Sequence, residues 1–185
     1  MPSGQEISRS IFGAWRLAHL DAGGMFYFDL TIDGFFRSFF APILGLPFFL
    51  LMVAVQADAK ADVMQLLEIE SVAYLLVWIA YPALMILLCH LLDLGQHYVP
   101  FIVAFNWAQI VIIAVYLPLN AVIGLDLVGR DIGVILRLLG FAASCFYLWF
   151  IARTALQTTA IVAIGLIVAE VLVEQIVQQG VELLL

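Results

Sequence analysis

Charged residues are scarce in this sequence. Asp, Glu, Lys and Arg make up 11% of its 185 residues, and hydrophobic residues make up 65%. An ordinary soluble domain has about 25% charged and about 45–50% apolar residues, which gives it enough polar side chains to cover its core. The present chain has too few, so its composition excludes a soluble globular fold. A mean hydropathy of +1.14 instead predicts lipid as the solvent of its outer surface.

Lysine and arginine are the scarcest charged residues: there are seven, against fourteen Asp and Glu. Because no basic run is present that could neutralise phosphates, we expect no nucleic-acid partner. The two cysteines, Cys89 and Cys145, both lie inside apolar runs. A thiol in that setting usually packs as a small hydrophobic side chain, so neither residue predicts a disulfide or a metal site.

Motifs of catalysis and cofactor binding are missing as well. The sequence contains no glycine-rich phosphate loop, no His-Glu-x-x-His and no Ser, His and Asp set of a hydrolase. His90 and His97 flank the end of one apolar run, and Cys89 precedes His90. Adjacent residues point to different sides of a helix, so these side chains do not predict a zinc site. We predict no metal, no cofactor and no enzymatic activity.

Five apolar runs, in contrast, are long enough to cross a bilayer. A hydrocarbon core of about 30 Å requires about 20 helical residues, because only a helix satisfies its backbone hydrogen bonds within one segment. The predicted fold class is therefore all-α, a polytopic transmembrane bundle of five helices. The predicted spans cover residues 39–57, 71–92, 99–123, 132–152 and 154–173.

Prolines and polar residues predict where these spans bend and turn. Pro47 should kink the first span, and Pro118 should end the regular part of the third, since proline removes a backbone donor. The polar stretch 93–98 predicts a tight antiparallel hairpin of the second and third spans. The fourth and fifth spans are expected to turn around Arg153.

Residues 1–38 differ from the five-span domain, residues 39–185. Ile11, Phe12 and Trp15 recur at helical spacing among polar residues, and an aromatic-rich stretch follows that is interrupted by charges. This pattern predicts an amphipathic segment lying in the membrane interface. The alternative interpretation is a solvent-facing loop.

The placement of Lys and Arg near the span ends predicts orientation. With the N-terminus inside, four basic residues lie on the cytoplasmic side and two on the other. The first four are Arg9, Arg16, Arg37 and Arg153, and the other two are Lys60 and Arg130. We expect a cell-membrane protein, in a bacterial inner membrane, with a cytoplasmic N-terminus and a C-terminus outside.

Ionisable residues within spans are costly, so each should face the bundle and have a partner. Arg137 lies on a stripe of small residues, Gly133, Gly140 and Ser144, that would let another helix approach closely. The fifth span carries Glu170 and, one turn later, Glu174.

If the helices turn at Arg153, Arg137 and Glu170 lie at equal depth, which predicts an ion pair between them and places Glu174 near Arg130. Such a pair would either fix the helix register or form a proton- or ion-linked site. Asn106 and Gln109 in the third span are expected to hydrogen-bond across helices; lining a substrate path is the alternative.

In layout, the chain resembles the bacterial relatives of the Yip family. An aromatic N-terminal segment leads through Arg37-Ser-Phe-Phe-Ala-Pro into five closely spaced spans and an outward C-terminus. Yip-family members are small five-span proteins, and the eukaryotic ones are named for interacting with Rab/Ypt GTPases in membrane traffic. The resemblance implies a topology and carries over no functional residues.

Three functions are compatible with this sequence. The first is a non-enzymatic scaffold or membrane organiser, whose partners are the lipid bilayer, itself or other membrane proteins. The second is a small transporter or channel. Its path would be lined by Arg137, Glu170, Glu174, Asn106 and Gln109. The third, which we expect least, is a membrane-embedded lipid-modifying enzyme, for which only His90, Asp93 and His97 are available.

Overall fold

The computed structural model describes residues 1–57 and 62–183. Lys60, which counts toward the predicted orientation, lies outside the described residues. So do Leu184 and Leu185 at the end of the predicted domain. Within those ranges the chain forms seven α-helices and two short 3-10 helices and no strand, so the all-α fold class is confirmed. The α-helices are α1 (Gly4–Ala18), α2 (Ile32–Ser38), α3 (Phe40–Gln56), α4 (Val63–Leu91), α5 (Tyr98–Gly124), α6 (Arg130–Ala155) and α7 (Ala160–Glu182).

Five helical segments in the described part of the chain are long and apolar enough to cross a membrane, and each contains most of one predicted span. They are Ile32–Gln56, Val63–Leu91, Gly95–Gly124, Arg130–Ala155 and Ala160–Val181. Their outer faces expose large hydrophobic side chains such as Ile79 and Leu138. This architecture fits a multi-pass membrane protein.

Two helices begin earlier than the apolar runs indicate. Helix α2 leads into α3 with an interruption only at Phe39, so helical structure starts within the predicted interfacial segment. Helix α4 begins at Val63 rather than Ser71, because the Asp62 side chain caps its first turn and the intervening acidic residues favour helix. Hydropathy identifies the part of a helix that contacts lipid, whereas the backbone hydrogen bonds of the helix can extend beyond that part.

The prediction that Pro118 ends the regular part of the third span is wrong. Helix α5 continues through Pro118 to Gly124. A proline inside a span is tolerated because neighbouring helices and local adjustments satisfy the freed backbone groups. Pro47 also lies inside its helix, α3, and the kink at this residue stays a prediction.

The predicted turn between the second and third spans is confirmed as a 3-10 helix, Gly95–His97. The predicted turn at Arg153 is wrong, because α6 continues to Ala155 and the turn occupies residues 156–159. Arg153 stays in the helix with its guanidinium 5.6 Å from the centre of the Trp149 ring, where a cation is favourable. Thr159 then caps α7.

The five spans pack in a closed ring in the order α5, α3, α4, α7, α6, and α5 also touches α4. Helices α1 and α2 cover the remaining face of α5. The first half of α5 is therefore buried, with Trp107 2% exposed and Asn106 fully buried. The small residues Gly133 and Gly140 of α6 face α5, as their predicted role in close helix approach requires.

Helix α1 folds back on the 3-10 helix that follows it, Ala22–Tyr27. Gly13 of α1 and Gly24 of the 3-10 helix meet backbone to backbone, an approach that a larger side chain would prevent. The Tyr147 hydroxyl of α6 donates to the Ala14 carbonyl at 2.7 Å. The N-terminal segment is thus bonded to the bundle.

Gly13→Ala should destabilise the protein by about 1–3 kcal/mol through overpacking. The added Cβ would lie 2.8 Å from the Gly24 carbonyl oxygen and 2.9 Å from Cβ of Tyr27. Gly165→Ala in α7 meets open space and should be neutral or stabilising by up to about 1 kcal/mol. Thermal unfolding in detergent measures both, and equal effects of the two substitutions would contradict this packing.

Candidate functional site

Glu170 of α7 is the carboxylate buried most deeply in the described part of the bundle. Glu170 lies near the middle of the helix and is only 8% exposed. Glu174, one turn later, is exposed. Residues four apart are neighbours on a helix surface, so the structure brings these two predicted site residues together.

The predicted Arg137–Glu170 ion pair is wrong. Arg137 donates instead to Gln56 Oε1 of α3, at 3.3 Å. Over residues 1–57 and 62–183 the ion pairs are Arg16–Asp21, Arg37–Glu6 and Arg37–Asp29, all in the N-terminal segment and α2. None of these pairs includes Glu174 or Arg130, so the two residues that were predicted to lie near each other form no ion pair.

The later turn accounts for the missing pair. With α6 ending at Ala155 and α7 beginning at Ala160, the residue level with Arg137 is near Gln178. That position is about eight residues beyond Glu170, or about 12 Å along the helix. A guanidinium cannot span this distance, so Glu170 has no basic partner among the described residues.

Neutral and acidic side chains surround the α7 carboxylates instead. Tyr81 and Cys145 lie within electrostatic reach of Glu170. The Tyr81 hydroxyl donates to the Leu166 carbonyl at 3.4 Å. One turn beyond Glu174, Gln178 Nε2 donates to Glu70 Oε1 of α4 at 3.0 Å. A third carboxylate, Glu70 of α4, is thus bonded to α7 one turn beyond Glu174.

Asn106 and Gln109 lie elsewhere in the bundle. Asn106 Nδ2 donates to Ser38 Oγ at 2.8 Å, which confirms the predicted hydrogen bond across helices. Ser38 Oγ in turn donates to the Phe35 carbonyl at 2.7 Å. Gln109 is half-buried, and its side chain has no hydrogen bond to the described residues. The five predicted polar residues thus do not converge on one site.

The ion cluster that joins α2 to α1 and to the residues just before α2 was not predicted by the sequence analysis. Arg37 Nε donates to Glu6 Oε1 at 2.8 Å, and Arg37 also pairs with Asp29. Asp29 Oδ1 accepts from the N–H and the hydroxyl of Thr31. The Thr31 hydroxyl and N–H, with Arg37 beyond them, hold the pKa of Asp29 below its ordinary value. Charges alternating with aromatic residues were the signal for this cluster.

A separate ion pair stabilises the segment in which the chain folds back after α1. Arg16 Nε donates to Asp21 Oδ2 at 2.7 Å, and Arg16 Nη1 donates to the Tyr27 hydroxyl at 3.2 Å. The hydrogen bond from Arg16, together with the Gly23 N–H, keeps the pKa of Asp21 below its ordinary value. Asp21 and Asp29 are therefore ionised partners of arginine near neutral pH.

The fold and its five apolar helices define a polytopic α-helical membrane protein. No family model, no curated protein and no solved structure matches the chain. Among the described residues no three His, Cys, Asp or Glu side chains are close enough to hold a metal ion. The chemistry of the site therefore depends on its own residues.

Acid should weaken the docking of the N-terminal segment. A carboxyl whose pKa is lower in the folded state stabilises the fold above its unfolded pKa, and the contribution is lost as the pH falls through the folded value. For Asp29 this loss begins below about pH 4. The free energy of unfolding, measured from pH 7 to pH 3, should fall more in the wild type than in Asp29→Asn.

Asp126→Asn, in the exposed turn after α5, is the matched control and should keep the wild-type pH dependence. If Asp29→Asn also kept it, the ion cluster would not be what stabilises this segment.

Asn106 and Ser38 should be energetically coupled. In a double-mutant cycle of Asn106→Ala and Ser38→Ala, we expect a coupling of about 0.6 kcal/mol, the average for hydrogen bonds between membrane helices. Ser71 bonds the Leu67 carbonyl of its own helix, so Ser71→Ala should add independently to Asn106→Ala. Unfolding in mixed micelles measures both cycles, and additivity in both would disprove the coupling.

Proposed function

We propose that the protein moves protons or small cations across its membrane and that Glu170 is the group that binds them. The observation that supports this proposal is a buried carboxylate in the middle of a span without a basic partner among the described residues. Ionisable residues inside a membrane are expensive and most often mark ion pathways or proton relays.

The chemistry follows from the cost of an isolated charge. An ionised carboxylate without a partner is strongly disfavoured in a low-dielectric interior, and binding a proton or a cation removes that cost. A structural ion pair would have neutralised Glu170 permanently. Since Arg137 is bonded to Gln56, Glu170 is left to exchange its proton or cation with a mobile source.

A stripe of polar side chains on α7 supports such an exchange. Glu170, Glu174 and Gln178 are each one turn apart and share a face, so polar groups line about 12 Å of helix from mid-span toward its C-terminal end. Gln178 is bonded to Glu70 of α4, which adds a further carboxylate at that end. The proposal uses this stripe alone, and Asn106, Gln109 and Arg137 have no part in it.

Flux across liposomes tests the proposal. Purified protein in vesicles that contain a pH-sensitive dye should dissipate an imposed pH gradient, and Glu170→Gln should reduce the rate at least tenfold because an amide cannot release a proton. A cation gradient, read with a cation-sensitive dye, tests the second substrate class. Glu68→Gln, an exposed carboxylate of α4, is the matched control and should transport like the wild type.

Equal rates for Glu170→Gln and the wild type in both assays, or no flux in either, would overturn the transport proposal. Far-UV circular dichroism and gel filtration of each variant show whether a loss of flux reflects a loss of fold. Glu170→Asp retains the carboxyl group and should recover part of the rate.

The second candidate is the non-enzymatic scaffold that binds itself or other membrane proteins. It is favoured by the way the other polar groups are used: Asn106 bonds α2 and Arg137 bonds α3, so each fastens neighbouring helices. Absence of flux together with a stable oligomer in detergent would support it.

A lipid-modifying enzyme is not proposed. His90 and Asp93 are both exposed, and no third His, Cys, Asp or Glu in the described part of the chain completes a cluster with them.

We also propose a bacterial inner membrane location, with the N-terminus cytoplasmic and the C-terminus outside. Support comes from Arg37 and Arg153, which lie toward the same end of the bundle as the N-terminal segment, because α6 returns the chain to the side on which α3 begins. Membership of the Yip family is proposed from layout alone. Labelling of cysteines introduced at the two termini, with a reagent that does not cross the membrane, tests the orientation.

A further inference from the structure

Two cavities lie on either side of α1. The first, of about 360 Å³, is polar and lies between α1 and the segment that follows it. Its charged lining residues are Arg9, Glu6 and Asp29, and Tyr27 lines it as well. Arg9 has no ion pair with the described residues, whereas both acids are paired with Arg37.

The second cavity, of about 380 Å³, is apolar and lies between α1 and α5. Phe12 and Trp15 form its α1 wall, and Val111 and Ala114 contribute to the α5 wall. Ser8 is the polar side chain among its lining residues. A cavity of this lining is suited to a hydrocarbon chain.

The two cavities adjoin along one edge of α1. Ser8 of the apolar cavity lies three residues from Gln5 of the polar one, and Phe12 lies three residues from Arg9. Residues at this spacing are neighbours on a helix surface. A single molecule can therefore pass from one cavity to the other around the exposed side of α1.

The polar cavity is also the shallower of the two. Arg37, which bonds Glu6, precedes Ser38, and Ser38 is level with Asn106 of α5. The apolar cavity is lined by α5 residues 110–115, further from the start of α5 at Tyr98. At 1.5 Å per residue the apolar cavity lies about 6–14 Å deeper.

We propose that these cavities bind one phospholipid with a primary-ammonium headgroup, of which phosphatidylethanolamine is the type. Arg9 binds the phosphate, Glu6 and Asp29 accept hydrogen bonds from the ammonium, and one acyl chain occupies the apolar cavity. The order of polar and apolar surface with depth matches that of a lipid in the bilayer.

Charge selects the headgroup. Two acids, Glu6 and Asp29, stand against two cations, Arg37 and Arg9, so the site has no net charge and favours a zwitterion over an anionic lipid. A primary ammonium has three N–H donors for the carboxylates, and the methylated ammonium of choline has none. Both volumes fall within the range of about 300–1,000 Å³ typical of small-molecule sites, and a helix of about 10 Å diameter is too wide for them.

Native mass spectrometry tests the site. The protein is equilibrated in micelles with equal amounts of phosphatidylethanolamine, phosphatidylcholine and phosphatidylglycerol, and the retained lipid is identified. We expect one phosphatidylethanolamine per chain. Arg9→Gln should reduce its retention at least fivefold through loss of the phosphate contact, and Ala114→Phe should reduce it similarly by filling the apolar cavity.

The matched controls place the same changes elsewhere. Arg130→Gln removes an exposed cation at the start of α6, and Ala143→Phe adds a ring to the exposed face of that helix. Both should retain the lipid as the wild type does. Arg9→Lys keeps the charge and should recover most of the binding, which separates a lost contact from a lost fold. Soluble phosphoethanolamine should not compete, because it lacks the acyl chain.

Three results would overturn the inference. Equal or stronger retention of phosphatidylglycerol would show that the site does not select a zwitterion. Unchanged retention in Arg9→Gln and Ala114→Phe would place the lipid elsewhere. A lipid-free dimer would show that a second copy of the chain covers this face. The test does not depend on Glu170, so it stands or falls separately from the transport proposal.

Discussion

Burial of the first half of α5 is the constraint on which the rest of the structure depends. This helix touches α1, α2, α3, α4 and α6, so five other elements are placed by one surface. In lipid, apolar contact between helices gains little over contact with acyl chains, and close packing and interhelical hydrogen bonds determine the arrangement. The fully buried Asn106 and its bond to Ser38 supply such a determinant where α2 meets α5.

Charge is distributed in two different ways along the chain. In the N-terminal segment Arg16 and Arg37 are matched with acids, and these pairs hold an amphipathic helix against the bundle. In α7, Glu170 and Glu174 are not matched with any basic residue of the described chain. The first arrangement stabilises a structure, and the second leaves a group whose charge has to be supplied from outside the protein.

The five spans could be predicted because apolar length is a local property, and so could the bonding role of Asn106, since a buried amide needs a partner. The Arg137–Glu170 pair was predicted wrongly because a small error in the position of the turn between α6 and α7 shifts every residue of α7 relative to α6. Arg153 was taken for a turn residue, yet a ring of Trp149 accommodates it within the helix. The cluster of Arg37 and Glu6 joins residues far apart in sequence, which periodicity does not reveal.

The closed ring of spans also bears on how the protein is assembled. Tyr81 and Leu166, which meet across α4 and α7, are 85 residues apart, so this contact cannot form until α7 has left the ribosome. Helix α7 therefore joins four spans that are already synthesised, and its contacts with α4 and α6 close the ring.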